Sequence, residues 1–169
     1  MGDLHLAVNI AAPRDRVFVF FVPQRMPLWY GPEMDTSFEV SGGESDFRVG
    51  QKIRISGRLG SREVSLVAVV QRYEWLRTLD WEFQDAYGVR GRQTWEIQQV
   101  SANRDSAGSL DRDQGATRVT MHERYAFPGR LGRFLDPVLM RPSIRARDKR
   151  MLANLKRLAE ARGARQRES

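Results

Sequence analysis

The sequence predicts an α+β domain. Its parts are an antiparallel sheet of seven strands, two short helices between strands 1 and 2, and one long C-terminal helix. Three observations carry this. Residues 4–10 and six segments between 35 and 127 read as strands, most of them alternating apolar and polar residues with a period of two. Tight turns containing Gly, or polar stretches, separate most of them, as in antiparallel sheets. From 131 onward the apolar residues change to spacings of three and four. A sheet with one apolar face needs a cover, and this helix is the only long element available to provide it.

Strand 1 is Leu4 to Ile10, with Leu4, Leu6, Val8 and Ile10 on one face. Ala11-Ala12-Pro13 breaks it. Pro13 suits the first helical position, where a missing N–H costs nothing, and Asp15 complements the positive helix end. Val17, Phe18, Phe20 and Phe21 follow at helical spacing. A second short helix or turn, bracketed by Pro23 and Pro27, ends at Leu28-Trp29-Tyr30, and Gly31-Pro32 stops it. The remaining strands are expected over 35–40, 51–57, 63–73, 78–84, 91–100 and 117–127. Residues 101–115 are polar and rich in Gly, Ser and Asp, the composition of a loop. Pro137 and Pro142 imply a bend near 137–143, because an interior proline removes a helical hydrogen bond. The main helix should then run to about Ala161, with 163–169 a frayed basic tail after a single domain over 1–162.

Composition removes several functions. With no cysteine there is no disulfide framework and no thiolate nucleophile or ligand. His5 and His122 are the only histidines, so no metal site is expected. No apolar run reaches the ~18–20 residues of a membrane span. No signal-peptide pattern is seen at the N-terminus, so a cytoplasmic protein is expected. Nor is there a Gly-x-Ser-x-Gly elbow or a phosphate-cradling loop. The net charge of +7 is confined to one place. Residues 1–140 hold 18 basic and 18 acidic side chains, whereas residues 141–169 hold ten basic and three acidic ones. A neutral body argues against a broad nucleic-acid footprint.

The order of elements and three local motifs resemble the START-like or SRPBCC superfamily, which includes the polyketide cyclase/dehydrase proteins. The first motif is Val8-Asn9-Ile10-Ala11-Ala12-Pro13 with Val17-Phe18 and Trp29. The second is Val49-Gly50 before a strand, and the third is the ending Leu152 to Glu160. The resemblance covers about residues 4–160 and implies the helix-grip fold, a curved sheet wrapped around the C-terminal helix with a cavity between them. It also implies an apolar ligand, such as a lipid or polyketide, and in some members aromatic cyclisation. The prolines at the helix entry are a local departure.

Strand alternation places Ile55, Leu66, Ala68, Leu79, Trp81, Phe83, Gln93, Trp95, Ile97, Met121, Glu123 and Tyr125 on the inward face. Phe134, Leu135, Val138 and Met151 would line the helix side, and Trp29 with Tyr30 would pack in the core or cap the cavity. Such a surface is mostly apolar with few polar anchors, as small-molecule pockets are. Glu123 is the informative residue. A carboxylate on an apolar face is either a buried acid, base or anchor, or it is paired with an Arg or exposed near the strand end. Trp81 and Trp95 could stack on a flat ligand or fill the core. Arg90 and Arg92 would form a basic rim, and His122 should point away from the cavity.

The expected function is therefore cofactor-free binding of a small apolar or aromatic ligand by a monomer or homodimer. One alternative is a cyclase- or dehydratase-like enzyme using Glu123 and Tyr125, with Gln93 orienting the substrate. Another is an interaction module that makes weak contact with anionic surfaces through the basic C-terminal helix, without nucleic-acid binding or membrane insertion.

Overall fold

The computed structural model describes residues 2–42, 45–59, 62–100, 115–129 and 141–165. Strand β1 (Gly2–Ile10) is followed by two short helices, α1 (Arg14–Phe18) and α2 (Pro27–Tyr30), and a 3-10 turn over Pro32–Met34. Six strands come next: β2 (Ser37–Val40), β3 (Lys52–Leu59), β4 (Arg62–Glu74), β5 (Thr78–Asp85), β6 (Arg90–Val100) and β7 (Ala116–Ala126). Helix α3 (Arg141–Arg165) closes the chain. The strands form one antiparallel sheet in the order β1-β7-β6-β5-β4-β3-β2, so β1 joins the far end of a meander. This is the helix-grip α+β architecture.

Several boundaries differ from the sequence reading for local reasons. Pro13 stands just before α1, with an extended ψ of 155°, rather than inside its first turn. Strand β2 begins at Ser37 because Asp35 takes a left-handed φ of 50° to leave the 3-10 turn. In β4 the register shifts between Val70 and Arg72, so Gln71 is an extra residue. That bulge re-aims the strand end. It sets Tyr73 opposite Leu79 on the inner face, where strict alternation from Val70 would have turned it out. Helix α3 continues to Arg165, past Ala161. Pro142 falls in the first described turn of α3, while Pro137 lies outside the described residues.

Helix α3 runs alongside β1 in the same direction. Near its start Arg141 donates to the Asp3 carbonyl (2.9 Å), and further on Lys156 donates to the Asn9 carbonyl (2.8 Å). Its end is held by the Glu160 carboxylate, which accepts the Ala11 N–H at 2.9 Å. Met151, Leu152, Leu155 and Ala159 are buried against the sheet. The apolar end of the core is an aromatic cluster. Trp29 and Trp95 rings are 5.2 Å apart, Phe21 lies 5.1 Å from Trp29, and Tyr30 bridges Trp95 and Trp81. The Trp29 indole donates to the Phe20 carbonyl at 2.8 Å and so ties α2 to the segment just after α1. Rings of this size bury 150–250 Å² each, which makes this cluster the main apolar contribution to stability.

Candidate functional site

At the other end, β6, β7, α2 and α3 bring five polar side chains together inside the grip. Glu123 stands on β7 between Leu4 of β1 and Gln93 of β6. It points inward and is 2% exposed. The Gln93 amide donates to Glu123 Oε2 at 2.5 Å and accepts the Tyr30 hydroxyl proton at 2.8 Å. From α3, Arg147 Nη2 reaches both Glu123 oxygens, at 3.0 and 2.7 Å. The same guanidinium donates through Nε to Asp148 Oδ1 at 2.8 Å. Asp148 is fully buried, and among the described residues its Oδ2 has no hydrogen-bond partner.

Two carboxylates and one guanidinium cannot all be neutralised as ions. Burial raises the pKa of Asp148. Arg147 opposes this, but the nearby Glu123 charge adds to it, and the net effect is a value of about 7. Near neutral pH Asp148 is therefore poised between its acid and carboxylate forms, beside the Glu123–Arg147 salt bridge. Burial lowers the affinity of Arg147 for its proton, but the two carboxylates outweigh it and keep the guanidinium charged. Burial also raises the Tyr30 phenol well above its ordinary value, so it remains a hydrogen-bond donor.

Next to this cluster lies a pocket of about 380 Å³. Its described walls come from β3 and β4 (Ile55, Gly57, Val64, Leu66), from α2 and the segment after it (Tyr30, Met34, Thr36), and from α3 (Ser143, Ile144, Arg147, Arg150). Asp85 and Tyr87 of the β5–β6 hairpin complete the rim. The wall is largely apolar. Its polar inner end is the Tyr30 phenol and the Arg147 guanidinium. A larger cleft of about 900 Å³ opens elsewhere, at the β4–β7 end of the sheet.

Ile55 and Leu66 are among the residues lining the smaller pocket. Trp29, Ala68, Leu79, Trp81, Trp95, Ile97, Met121 and Met151 are buried and line neither space; they are packed into the core. Phe83 and Tyr125 border the larger cleft. Glu123 and Gln93 border neither pocket and approach the smaller one only through Tyr30 and Arg147. Phe134, Leu135 and Val138 lie outside the described residues. His122 faces outward, stacked on His5 and 2.8 Å from Asp3 Oδ1.

Arg147 and Asp148 are absent from the sequence-based candidates. The signal was present. Asp148 is four residues from both Ile144 and Leu152, so it stands within the apolar stripe of α3. A charge in such a stripe needs a partner, and an inward Glu123 was available. Among the described residues no three His, Cys, Asp or Glu side chains could hold a metal, and no helix is long and apolar enough to cross a membrane.

The model of the family described as polyketide cyclase / dehydrase and lipid transport matches residues 1–160. No curated protein matches the chain significantly. Among solved structures, a Mycobacterium smegmatis protein aligns with a TM-score of 0.65 at 16% identity, covering 94% of this chain and 91% of its own. Ara h 8.0201 aligns at 0.62 and 9% identity, over 94% of this chain and 96% of its own. DynU16, a protein in the dynemicin biosynthetic locus, aligns at 0.56 and 18% identity, over 92% of this chain and 46% of its own. At these identities the likeness shows a shared fold.

Proposed function

Because the chain belongs to the polyketide cyclase/dehydrase and lipid transport family, we propose that it binds a small apolar ligand in the pocket between β3–β4, α2 and α3. The observation that carries this is the pocket itself. It has about 380 Å³ of space and a mostly apolar wall, and Tyr30 and Arg147 of the polar cluster are among its lining residues. That size is within the range of small-molecule sites. The Arg147 guanidinium is a hydrogen-bond donor held by Glu123 and Asp148, and the Tyr30 oxygen, whose proton goes to Gln93, is left as an acceptor. A pre-organised donor beside an acceptor suits a hydroxyl or carbonyl oxygen on an otherwise apolar ligand. The expected occupant is thus an apolar or aromatic molecule with an oxygen at one end.

The fluorescent apolar probe N-phenyl-1-naphthylamine tests this. Its emission should rise on binding and fall when a medium-chain methyl ketone is added. Ile144→Trp, which places a large ring in the pocket, should abolish the signal. An unchanged signal in that variant would remove the proposed site.

An acid–base enzyme built on Glu123 and Tyr125 has less support. The two do not line a common pocket, and Glu123 is behind Arg147 and Gln93. Contact with anionic surfaces has a specific observation in its favour. Arg145, Lys149, Arg150 and Arg157 are exposed on α3, whereas its acidic Asp148 is buried. Binding to anionic vesicles that weakens as salt rises is the expected behaviour; no binding at low salt would dismiss it.

A further inference from the structure

The 900 Å³ cleft is the larger of the two spaces and has no part in the reading above. Strand alternation shows which side of the sheet it occupies. The inward set is Ala68, Trp81, Gln93 and Glu123, so Val67, Val69, Glu82, Arg92 and Arg124 stand on the outer face. These outer residues, with Arg90, line the cleft. It crosses β4 to β7 on the side away from α3.

The charges in the cleft are unevenly matched. Arg92 is directly opposite Arg124 in the β6–β7 register, and Arg90 is two residues further along β6. Like charges directly opposed on a sheet are destabilising, and diagonal neighbours are only ~7–8 Å apart. Arg92 is answered by Asp80, which accepts its Nε at 2.9 Å, and by Glu82 at 3.9 Å. Arg90 and Arg124 are both exposed and form no ion pair among the described residues. Nearby carboxylates are committed elsewhere. Asp85 accepts the Tyr87 and Val89 N–H groups at 2.8 Å each, and Asp3, opposite Arg124 on β1, accepts from or pairs with His122. Two strand spacings from Arg90 and three from Arg124, about 10 and 14 Å away, the floor becomes apolar at Val67, which is 44% exposed.

We propose that this outer cleft is a second ligand site, for an amphipathic organic anion. Its carboxylate or phosphate head lies between Arg90 and Arg124, and its apolar body runs across β5 toward Val67 and Val69. Arginine suits such a head because its fork matches either oxyanion bidentately. The span from Arg90 to Val67, about 10 Å, fits a chain of eight to ten carbons.

Decanoate and octyl phosphate are the probes, one for each kind of head. In wild-type protein, NMR amide shifts should move for Val67, Arg90 and Arg124 and stay fixed for Tyr30 and Ile144. Shifts confined to Tyr30 and Ile144 would place the anion in the helix-side pocket and overturn the proposal, as would no shift at millimolar ligand. By calorimetry, Arg124→Glu and Arg90→Glu should each weaken binding about tenfold, with Arg124→Lys retaining most of it. Ile144→Trp should leave it unchanged. Wild-type affinity in both charge-reversed proteins would also sink the idea. If one reversal misfolds, Arg90→Gln and Arg124→Gln carry the same comparison, with several-fold losses expected. Response to one probe only would identify the head group.

Discussion

The two ends of the grip use the same scaffold for opposite purposes. Under α1 and the second half of α3, the inner face is filled by Trp29, Trp95, Phe21 and Leu155, all fully buried. Under the first half of α3 the same sheet carries Gln93 and Glu123, the helix carries Arg147 and Asp148, and a pocket is left beside them. Only one strand step separates the regimes: Trp95 pairs with Met121, and Gln93 with Glu123. At the filled end, stability depends on volume. At the polar end it depends on charge balance, because each ion there is tolerated only through its neighbours.

The largest effect should come from the filled end. Trp95→Ala should lower the unfolding free energy by about 3–5 kcal/mol, read as a shift in the urea midpoint. A loss near 1 kcal/mol would mean the aromatic cluster is not close-packed. Arg147→Met leaves Glu123 and Asp148 without their counter-charge. Losing one member of a buried pair costs about 3–5 kcal/mol; the Arg147 side chain is 30% exposed, so the low end, about 3 kcal/mol, is expected. Adding Glu123→Gln to that variant should recover part of the loss.

Next in size is a pH dependence. The folded-state pKa of Asp148, about 7, lies above the ordinary carboxylate value of 3.8. The folded protein therefore binds more protons than the unfolded chain between these values. This contribution to stability is complete below about pH 4, declines as pH rises, and is gone above about pH 7. Asp148→Asn should remove that slope between pH 4 and 7 in denaturant titrations. A slope that survives the substitution would assign it to another group. The smallest change is at the pocket. Tyr30→Phe breaks the bond to Gln93 and should cost about 1 kcal/mol, while weakening a hydroxyl-bearing ligand more than a pure hydrocarbon.

How far the sequence reveals all this depends on which physical rule sets each feature. The strands from β3 to β7 were legible because period-two alternation is local and each has one buried face. Glu123 was legible as an inward carboxylate for the same reason. Its partner was not, because Arg147 is on a helix read for its apolar residues, and only the tertiary structure sets α3 above β7. The cavity was misplaced toward Trp81 and Trp95 because alternation gives direction but not fullness. Whether two inward tryptophans leave space depends on the height of the helix above the sheet, which no spacing in the chain encodes. The bulge at Gln71, which turns Tyr73 inward, likewise has no local signature.

The route of β1 also has a kinetic consequence. Among the described residues its only neighbour in the sheet is β7, with Leu4 opposite Glu123, and the corner after it is held by Glu160, 149 residues from Ala11. The first strand made is therefore among the last to find its place. Loops of that length must close before their contacts return any free energy, and topologies dominated by such contacts fold slowly. Until β7 is made a growing chain holds β1 unpaired, and until α3 is complete its apolar face is uncovered. Removing residues from the end of α3 should therefore slow folding more than its few lost contacts suggest.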